Sequence, residues 1–144
     1  MVFPSPAARP LYFAYGSNMD PTQMAARCPS AGFRCTARLP NHRLAFSRAS
    51  RKRGCGVADV VPAGGAEVWG VVYEITEMPD LAALDKAEGF VPGRTIGNSY
   101  VRTEGSVYPQ ALPSTPLSVH LYVAEKEPHP PPPDGRYLAQ LIRG

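Results

Sequence analysis

The sequence has few cysteines and no regular cysteine spacing. Its three cysteines, Cys28, Cys35 and Cys55, are odd in number and include no CxxC pair. A disulfide framework needs paired cysteines, and a structural zinc site normally needs closely spaced ligands. The three histidines also lie far apart and match no spacing of the HExxH type. We therefore expect neither disulfides nor a metal site.

The sequence also has no long apolar run. None approaches the roughly 20 residues that a membrane-spanning helix needs. The opening MVFPSPAARP lacks the charged start and apolar centre of a secretory signal, and its prolines predict a flexible arm over residues 1–10. We expect a cytoplasmic protein that contacts no membrane, with one domain over residues 11–144.

Strong charge of one sign is missing as well. The formal net charge is +3, a mild basic excess that favours an anionic small molecule only weakly and nucleic acid less. The basic residues Arg48, Arg51, Lys52 and Arg53 are flanked by glycine and serine, with no aromatic residues to stack on bases. A solvated loop is the favoured interpretation. An adaptor that uses this loop and the run Pro130–Pro133 stays as an alternative.

Hydrophobic residues make up 44% of the 144 residues, which excludes a disordered chain and allows one packed domain. Runs of β-branched and aromatic residues predict strands, Trp69 among their core residues, and proline and capping signals predict helices. The predicted strands cover residues 11–15, 42–46, 56–61, 67–75, 100–108 and 117–124, and the helices cover residues 21–28, 79–88 and 134–143. This mixture predicts an α+β fold with a curled sheet or small barrel.

The turn Tyr15-Gly16-Ser17-Asn18 is the first candidate site. It joins a predicted strand to a helix that Asp20 would cap. Backbone N–H groups at such a junction can hold an anion or a carbonyl oxygen, and glycine allows close approach. An ordinary strand-to-helix turn explains the residues equally well.

Glu88 is the second candidate. At helical spacing it shares a face with Leu81 and Leu84, and a carboxylate in an apolar stripe is rare without a partner or a role. Burial, the negative end of the helix dipole and nearby Asp85 should raise its pKa toward neutrality. A solvent-exposed glutamate at a frayed helix end is the competing interpretation. For Asp85 and Tyr137, structural roles are favoured.

Three blocks of the sequence together resemble the γ-glutamylcyclotransferase family. They are LYFAYGSNM at residues 11–19, VWGVVYEI at 68–75 with LDKAEG at 84–89, and the proline stretch followed by Tyr137. They occur in that family's order and span most of the chain. Residues 94–99 separate Gly93 from Tyr100, whereas a tyrosine often follows such a glycine closely in the family, so the resemblance assigns Tyr100 no role.

The resemblance implies a small mixed β-barrel with flanking helices, no cofactor and a small-molecule γ-glutamyl substrate. It implies that Glu88 is the catalytic acid/base and that a substrate site is formed by Tyr12, Phe13, Ala14, Tyr15, Gly16, Ser17, Asn18 and Tyr137. The expected reaction is cleavage of a γ-glutamyl amide by its own α-amine, which releases 5-oxoproline and a free amine. A catalytically inactive binding or regulatory module of the same fold is the alternative.

Overall fold

The computed structural model describes residues 10–50, 55–94, 100–124 and 135–144. Nearly all of the predicted N-terminal arm, most of the basic loop and the whole proline run lie outside these ranges. No helix in the described ranges has the length and apolar character needed to cross a membrane.

Five strands and four helical segments make up the described chain. The strands are β1 (Leu11–Ala14), β2 (Ala31–Ser50), β3 (Cys55–Ile75), β4 (Tyr100–Pro109) and β5 (Leu117–Ala124). The α-helices are α1 (Pro21–Arg27), α2 (Met78–Ala87) and α3 (Gly135–Arg143), and a short 3-10 helix spans Ser17–Met19. Asp20 caps α1 as expected, because its side chain accepts a hydrogen bond from the Thr22 N–H at 3.1 Å.

The strands form a closed barrel in the order β1-β3-β2-β4-β5. Antiparallel pairs make most of the wall, and β1 closes it by pairing parallel to β5, where Tyr12 faces His120. The predicted α+β fold with a small mixed barrel is confirmed. Closure places the C-terminal end of β1, and the turn that follows it, at one mouth of the barrel.

The long hairpin of β2 and β3 differs from the sequence prediction. The expected strands at residues 56–61 and 67–75 are one continuous strand, and β2 begins at Ala31 rather than near His42. Pairing with β2 is interrupted between them, because Pro62 pairs with His42 and Glu67 pairs with Pro40, which leaves residues 63–66 as a bulge opposite Asn41, with Gly65 at φ 83°. Register shifts in β2 between Phe33 and Cys35 and between Pro40 and His42 accommodate the irregular pattern.

Two apolar clusters lie on the two sides of β3. Val68 and Val72 point into the barrel with Phe13, whereas Tyr73 and Ile75 point outward beneath the helices. Trp69 also points outward, is 44% exposed and donates to Glu67 at 3.2 Å. Its prediction as a core residue was wrong, because the two-residue period of a strand puts it on the opposite face from Val68.

The contact between β1 and β3 predicts a destabilising substitution. A Cβ atom at Gly70 would lie 2.7 Å from the Phe13 ring and would overlap the Ala14 carbonyl oxygen. Gly70→Ala should therefore lower the free energy of unfolding by about 1–3 kcal/mol, the usual cost of overpacking. Urea denaturation measures this. Gly64→Ala, in the same strand with no atom within 4 Å of the added carbon, is the control. Equal stability of the two variants would contradict the packing.

Candidate active site

Glu88 lies at the C-terminal end of α2. The helix ends at Ala87, so Glu88 is its C-cap rather than part of its last turn, with φ −87° and ψ 0°. Gly89 follows at φ 68°, the left-handed conformation that terminates helices. Leu81 and Leu84 are buried as the stripe predicted, and the Glu88 side chain is only 14% exposed. The carboxyl group therefore faces the protein interior.

Asn18 is the closest partner of that carboxyl group. Its side-chain Nδ2 donates to Glu88 Oε1 at 3.1 Å and to the Tyr12 hydroxyl at 3.0 Å. A guanidinium nitrogen of Arg27 lies 3.9 Å from the same Oε1. Three elements thus converge on Glu88: β1 through Tyr12, the 3-10 helix through Asn18, and α1 through Arg27.

Burial raises the pKa of Glu88 to about 7, while Arg27 and the Asn18 hydrogen bond oppose the rise. Burial was one of three causes expected to raise this pKa, and Asp85, which was another, is not among the groups that shift it. Asp85 is engaged elsewhere: it accepts from the Tyr122 hydroxyl at 2.6 Å and pairs with Arg102 at 3.2 Å. Its role is structural, as the sequence favoured. Glu88 can therefore exchange a proton near neutral pH.

The turn after β1 lies beside Glu88. Gly16 has φ −116°, so it does not need the left-handed conformation. A Cβ atom there would lie 3.4 Å from both the Ala58 side chain and the Tyr137 hydroxyl, so the glycine leaves a narrow space between them. The first N–H groups of the following 3-10 helix have no partner within that helix. Ser17 Oγ accepts from Gln23 at 2.7 Å.

The other predicted substrate residues are distributed on both sides of the barrel wall. Tyr12 is buried beside Asn18, whereas Phe13 and Ala14 fill the inner and outer apolar clusters. The Tyr15 hydroxyl donates to the Tyr122 carbonyl. Tyr137, on α3, is buried and accepts from the Ala58 N–H at 2.7 Å. The structure joins Tyr12 and Glu88 through Asn18, which donates to both, and places Phe13 in the core.

Comparison with known proteins identifies the family. The family described as "Gamma-glutamyl cyclotransferase, AIG2-like" matches residues 12–139, which include the turn, Glu88 and Tyr137. The chain belongs to this family.

Individual relatives agree with the assignment. The human gamma-glutamylcyclotransferase is 39% identical over 90 residues, which is 60% of this chain and 47% of that protein. The chain thus matches about half the length of this curated relative. A solved structure of a gamma-glutamyl cyclotransferase is similar with a TM-score of 0.80 and 32% identity, covering 92% of this chain and 75% of the other. A mouse AIG2-like protein, 19% identical with a TM-score of 0.56 over 90% of this chain and 82% of its own, shares the fold.

Tyr100, to which sequence reasoning assigned no role, lies next to Glu88 and Ala58 in this cyclotransferase-family chain. Its hydroxyl donates to the Ala58 carbonyl at 2.8 Å, and its N–H donates to the Glu88 carbonyl at 3.1 Å. Ala58 therefore bonds Tyr137 through its N–H and Tyr100 through its carbonyl. These tertiary contacts join β3 to β4 and to α3, which are distant in the sequence, so no local sequence signal predicts them. Residues 95–99, which precede Tyr100, lie outside the described ranges.

Arg27 and Gln23 of α1, which the sequence did not single out as candidates, lie beside Asn18. Both contact Asn18 Oδ1, Gln23 at 2.8 Å and Arg27 at 3.0 Å. Their spacing, with buried Met24 between them, is the signal that could have indicated a polar face directed at the turn. In the described parts of the chain, no three His, Cys, Asp or Glu side chains group closely enough to hold a metal.

The raised pKa of Glu88 predicts a pH-dependent stability. From the ordinary value of 4.5 to about 7, the unfolded carboxyl group ionises while the folded one stays protonated. Folding therefore loses stability as pH rises through this window, by up to about 3 kcal/mol above pH 7. Glu88→Gln removes this loss, so the variant should gain stability relative to wild type between about pH 4 and about pH 8. Urea denaturation across this range measures the gain. A difference that does not vary with pH would contradict the burial.

Proposed function

We propose that this protein cleaves γ-glutamyl amides by cyclisation, releasing 5-oxoproline and a free amine or amino acid. The observation that supports it best is the buried Glu88 carboxyl group, whose pKa is about 7 and which lies in contact with the turn of residues 15–18 through Asn18. Family membership supports the same chemistry.

The reaction needs little beyond orientation and proton transfer. In a γ-glutamyl amide, the α-amine can attack the γ-carbonyl carbon and close a five-membered ring. A new C–N bond forms in the ring, and the C–N bond to the leaving amine breaks. Because the nucleophile is tethered to its target, holding the chain in a bent conformation supplies much of the acceleration.

Glu88 carries the proton transfers in this proposal. Its carboxylate takes one proton from the α-ammonium group, which makes the nitrogen nucleophilic, and the resulting carboxylic acid gives that proton to the departing amine. After ring closure the nitrogen loses its second excess proton through the regenerated carboxylate, and the released amine takes this proton and leaves as an ammonium ion. A carboxyl group with its pKa near neutrality suits both steps, because each protonation state is accessible at the same pH.

The turn of residues 15–18 binds the glutamyl part in this proposal. Backbone N–H groups at Gly16 and Ser17 would hold the α-carboxylate or the oxyanion that develops on the γ-carbonyl. The space between Gly16, Ala58 and the Tyr137 hydroxyl is where the substrate can approach the backbone. Tyr15 belongs to the same buried cluster as Ala58 and Tyr137.

Glu88→Gln tests the proposed function. Gln keeps the size of the side chain but cannot exchange a proton, so the variant should stay folded and lose turnover by at least about a hundredfold. The measurement is 5-oxoproline release from a panel of γ-glutamyl amides, with circular dichroism as the control for folding. Wild-type rates in the variant would contradict the acid/base role. Absence of 5-oxoproline release by the wild type across the panel would contradict the function itself.

Substrate modification tests the identity of the nucleophile. N-acetylation converts the glutamyl α-amine into an amide, whose nitrogen lone pair is delocalised into the acetyl carbonyl and is a poor nucleophile, so an N-acetyl-γ-glutamyl amide should not react. Changing the leaving amine should change the rate only moderately, because the glutamyl part carries the reacting groups. Chromatographic detection of the released amine measures both series. Efficient cleavage of the acetylated compound would show that water is the nucleophile, even if Glu88 proved essential.

A further inference from the structure

The side-chain amide of Asn18 is held from both ends. Its Nδ2 faces two acceptors, Glu88 Oε1 and the Tyr12 oxygen, and its Oδ1 faces two donors, Gln23 Nε2 and an Arg27 guanidinium N–H. Asn18 is 3% exposed, so water cannot replace these partners readily. Rotating the amide by half a turn would put its oxygen against a carboxylate and its NH₂ against a guanidinium. The partners therefore fix a single orientation.

Both donors to Oδ1 come from one face of α1. Gln23 and Arg27 are four residues apart, so they lie one above the other on the helix surface. Gln23 is itself held, because Gln140 on α3 donates to its Oε1 at 2.6 Å. Gln23 also donates to Ser17 Oγ, which ties the same glutamine to the turn. A chain of hydrogen bonds thus runs from α3 through α1 to Asn18 and Glu88.

We propose that Gln23 and Arg27 are positioning residues for the cyclisation reaction, which act by fixing the Asn18 amide so that its N–H points at the Glu88 carboxyl group. This inference rests on the proposed function for its effect on turnover, but not for its effect on the Glu88 carboxyl group. The Asn18 N–H can donate only to an oxygen that accepts a hydrogen bond. Fixing the amide therefore stabilises the carboxylate form of Glu88, which must take the first proton.

The titratable groups around Glu88 allow the effect of charge on its carboxyl group to be separated from the effect of amide orientation. Tyr12 from β1, Tyr15 after it, Tyr100 from β4 and Tyr122 from β5 surround the carboxyl group, and burial raises the pKa of each, so they are neutral. Asp85 on α2 is paired with Arg102.

Arg27 supplies the positive charge on this side of Glu88, at 3.9 Å and with a side chain 27% exposed. Gln23 supplies orientation without charge. Substituting Arg27 therefore tests the effect of charge, and substituting Gln23 tests the effect of orientation.

The test is a double-mutant cycle on Gln23 and Asn18, with Glu88 observed directly. The variants are Gln23→Leu, Asn18→Ala and the pair combined, with Arg27→Met and Arg27→Lys as a charge series. Arg34→Met is the matched control, because Arg34 forms an exposed ion pair with Glu74 on the barrel wall. Carbon NMR of glutamate-labelled protein follows the Glu88 carboxyl titration, which Glu88→Gln assigns. Turnover on a γ-glutamyl amide gives kcat and KM separately.

We expect Gln23→Leu to lower kcat by roughly tenfold to a hundredfold with little change in KM, as expected for a misplaced catalytic group. In the Asn18→Ala background the same substitution should have almost no effect, because Gln23 would then have no amide to orient. Arg27→Met should move the Glu88 titration to higher pH and lower kcat/KM at about pH 6 by about tenfold, with partial rescue by lysine. Arg34→Met should change neither.

Two results would overturn the inference. One is a Gln23→Leu variant whose kcat and Glu88 titration match the wild type. The other is an effect of Gln23→Leu that persists undiminished in the Asn18→Ala background, since Gln23 would then act on the site by another route. If the wild type shows no turnover, the proposed function fails, and the NMR titration of the Asn18 and Arg27 variants still decides whether this network controls Glu88.

Discussion

The site depends on one energetically unfavourable feature. The Glu88 carboxyl group is buried, and its neighbours offset only part of the cost of burying its charge. A buried carboxylate paired with a well-placed arginine would have a low pKa and would hold its charge permanently. Here Arg27 stands 3.9 Å away and Asn18 donates one hydrogen bond, so burial outweighs both and the pKa rises to about 7. The group is consequently able to take and give a proton at neutral pH, at a cost to folding stability.

The barrel provides the rigid frame that this arrangement needs. Pairing of β1 with β3 on one side and β5 on the other fixes where the turn after Ala14 begins. Ala58 of β3 binds the Tyr100 and Tyr137 hydroxyl groups through its two backbone groups, which links β4 and α3 to the same mouth. These contacts join residues distant in sequence, so the site exists only once the barrel has closed.

Local sequence patterns predicted the parts of the structure that local physics determines. The cap of α1 at Asp20, the apolar stripe of Leu81 and Leu84, and the α+β class follow from spacing and composition, whereas the small barrel was implied by the family resemblance. The single span of β3 did not follow from local patterns, because the proline and glycines at residues 62–65 are typical of a strand end, whereas here they lie in a bulge beyond which the pairing with β2 resumes. Trp69 was misplaced because a strand with one face inside a barrel and the other partly under helices is apolar on both sides.

The candidate site was also predictable only in part, because local sequence patterns do not show all of its tertiary contacts. Glu88 and the turn of residues 15–18 were conspicuous, one as a carboxylate in an apolar stripe and the other as a polar glycine turn. Arg27, Gln23 and Tyr100 are ordinary in sequence, and their importance comes from tertiary contacts with Asn18, Ala58 and the Glu88 backbone. The spacing of Gln23 and Arg27 indicates that they share one helix face, but it does not indicate what that face contacts.

The central claim is that the substrate's own amine, activated by Glu88, displaces the leaving amine without water. Turnover in water enriched in heavy oxygen tests this directly, with mass spectrometry of the products. The account predicts that 5-oxoproline forms without any solvent oxygen, because its ring carbonyl keeps the oxygen of the γ-carbonyl. Glutamate carrying one heavy oxygen in its γ-carboxyl group, formed as the main product, would identify hydrolysis and contradict the account.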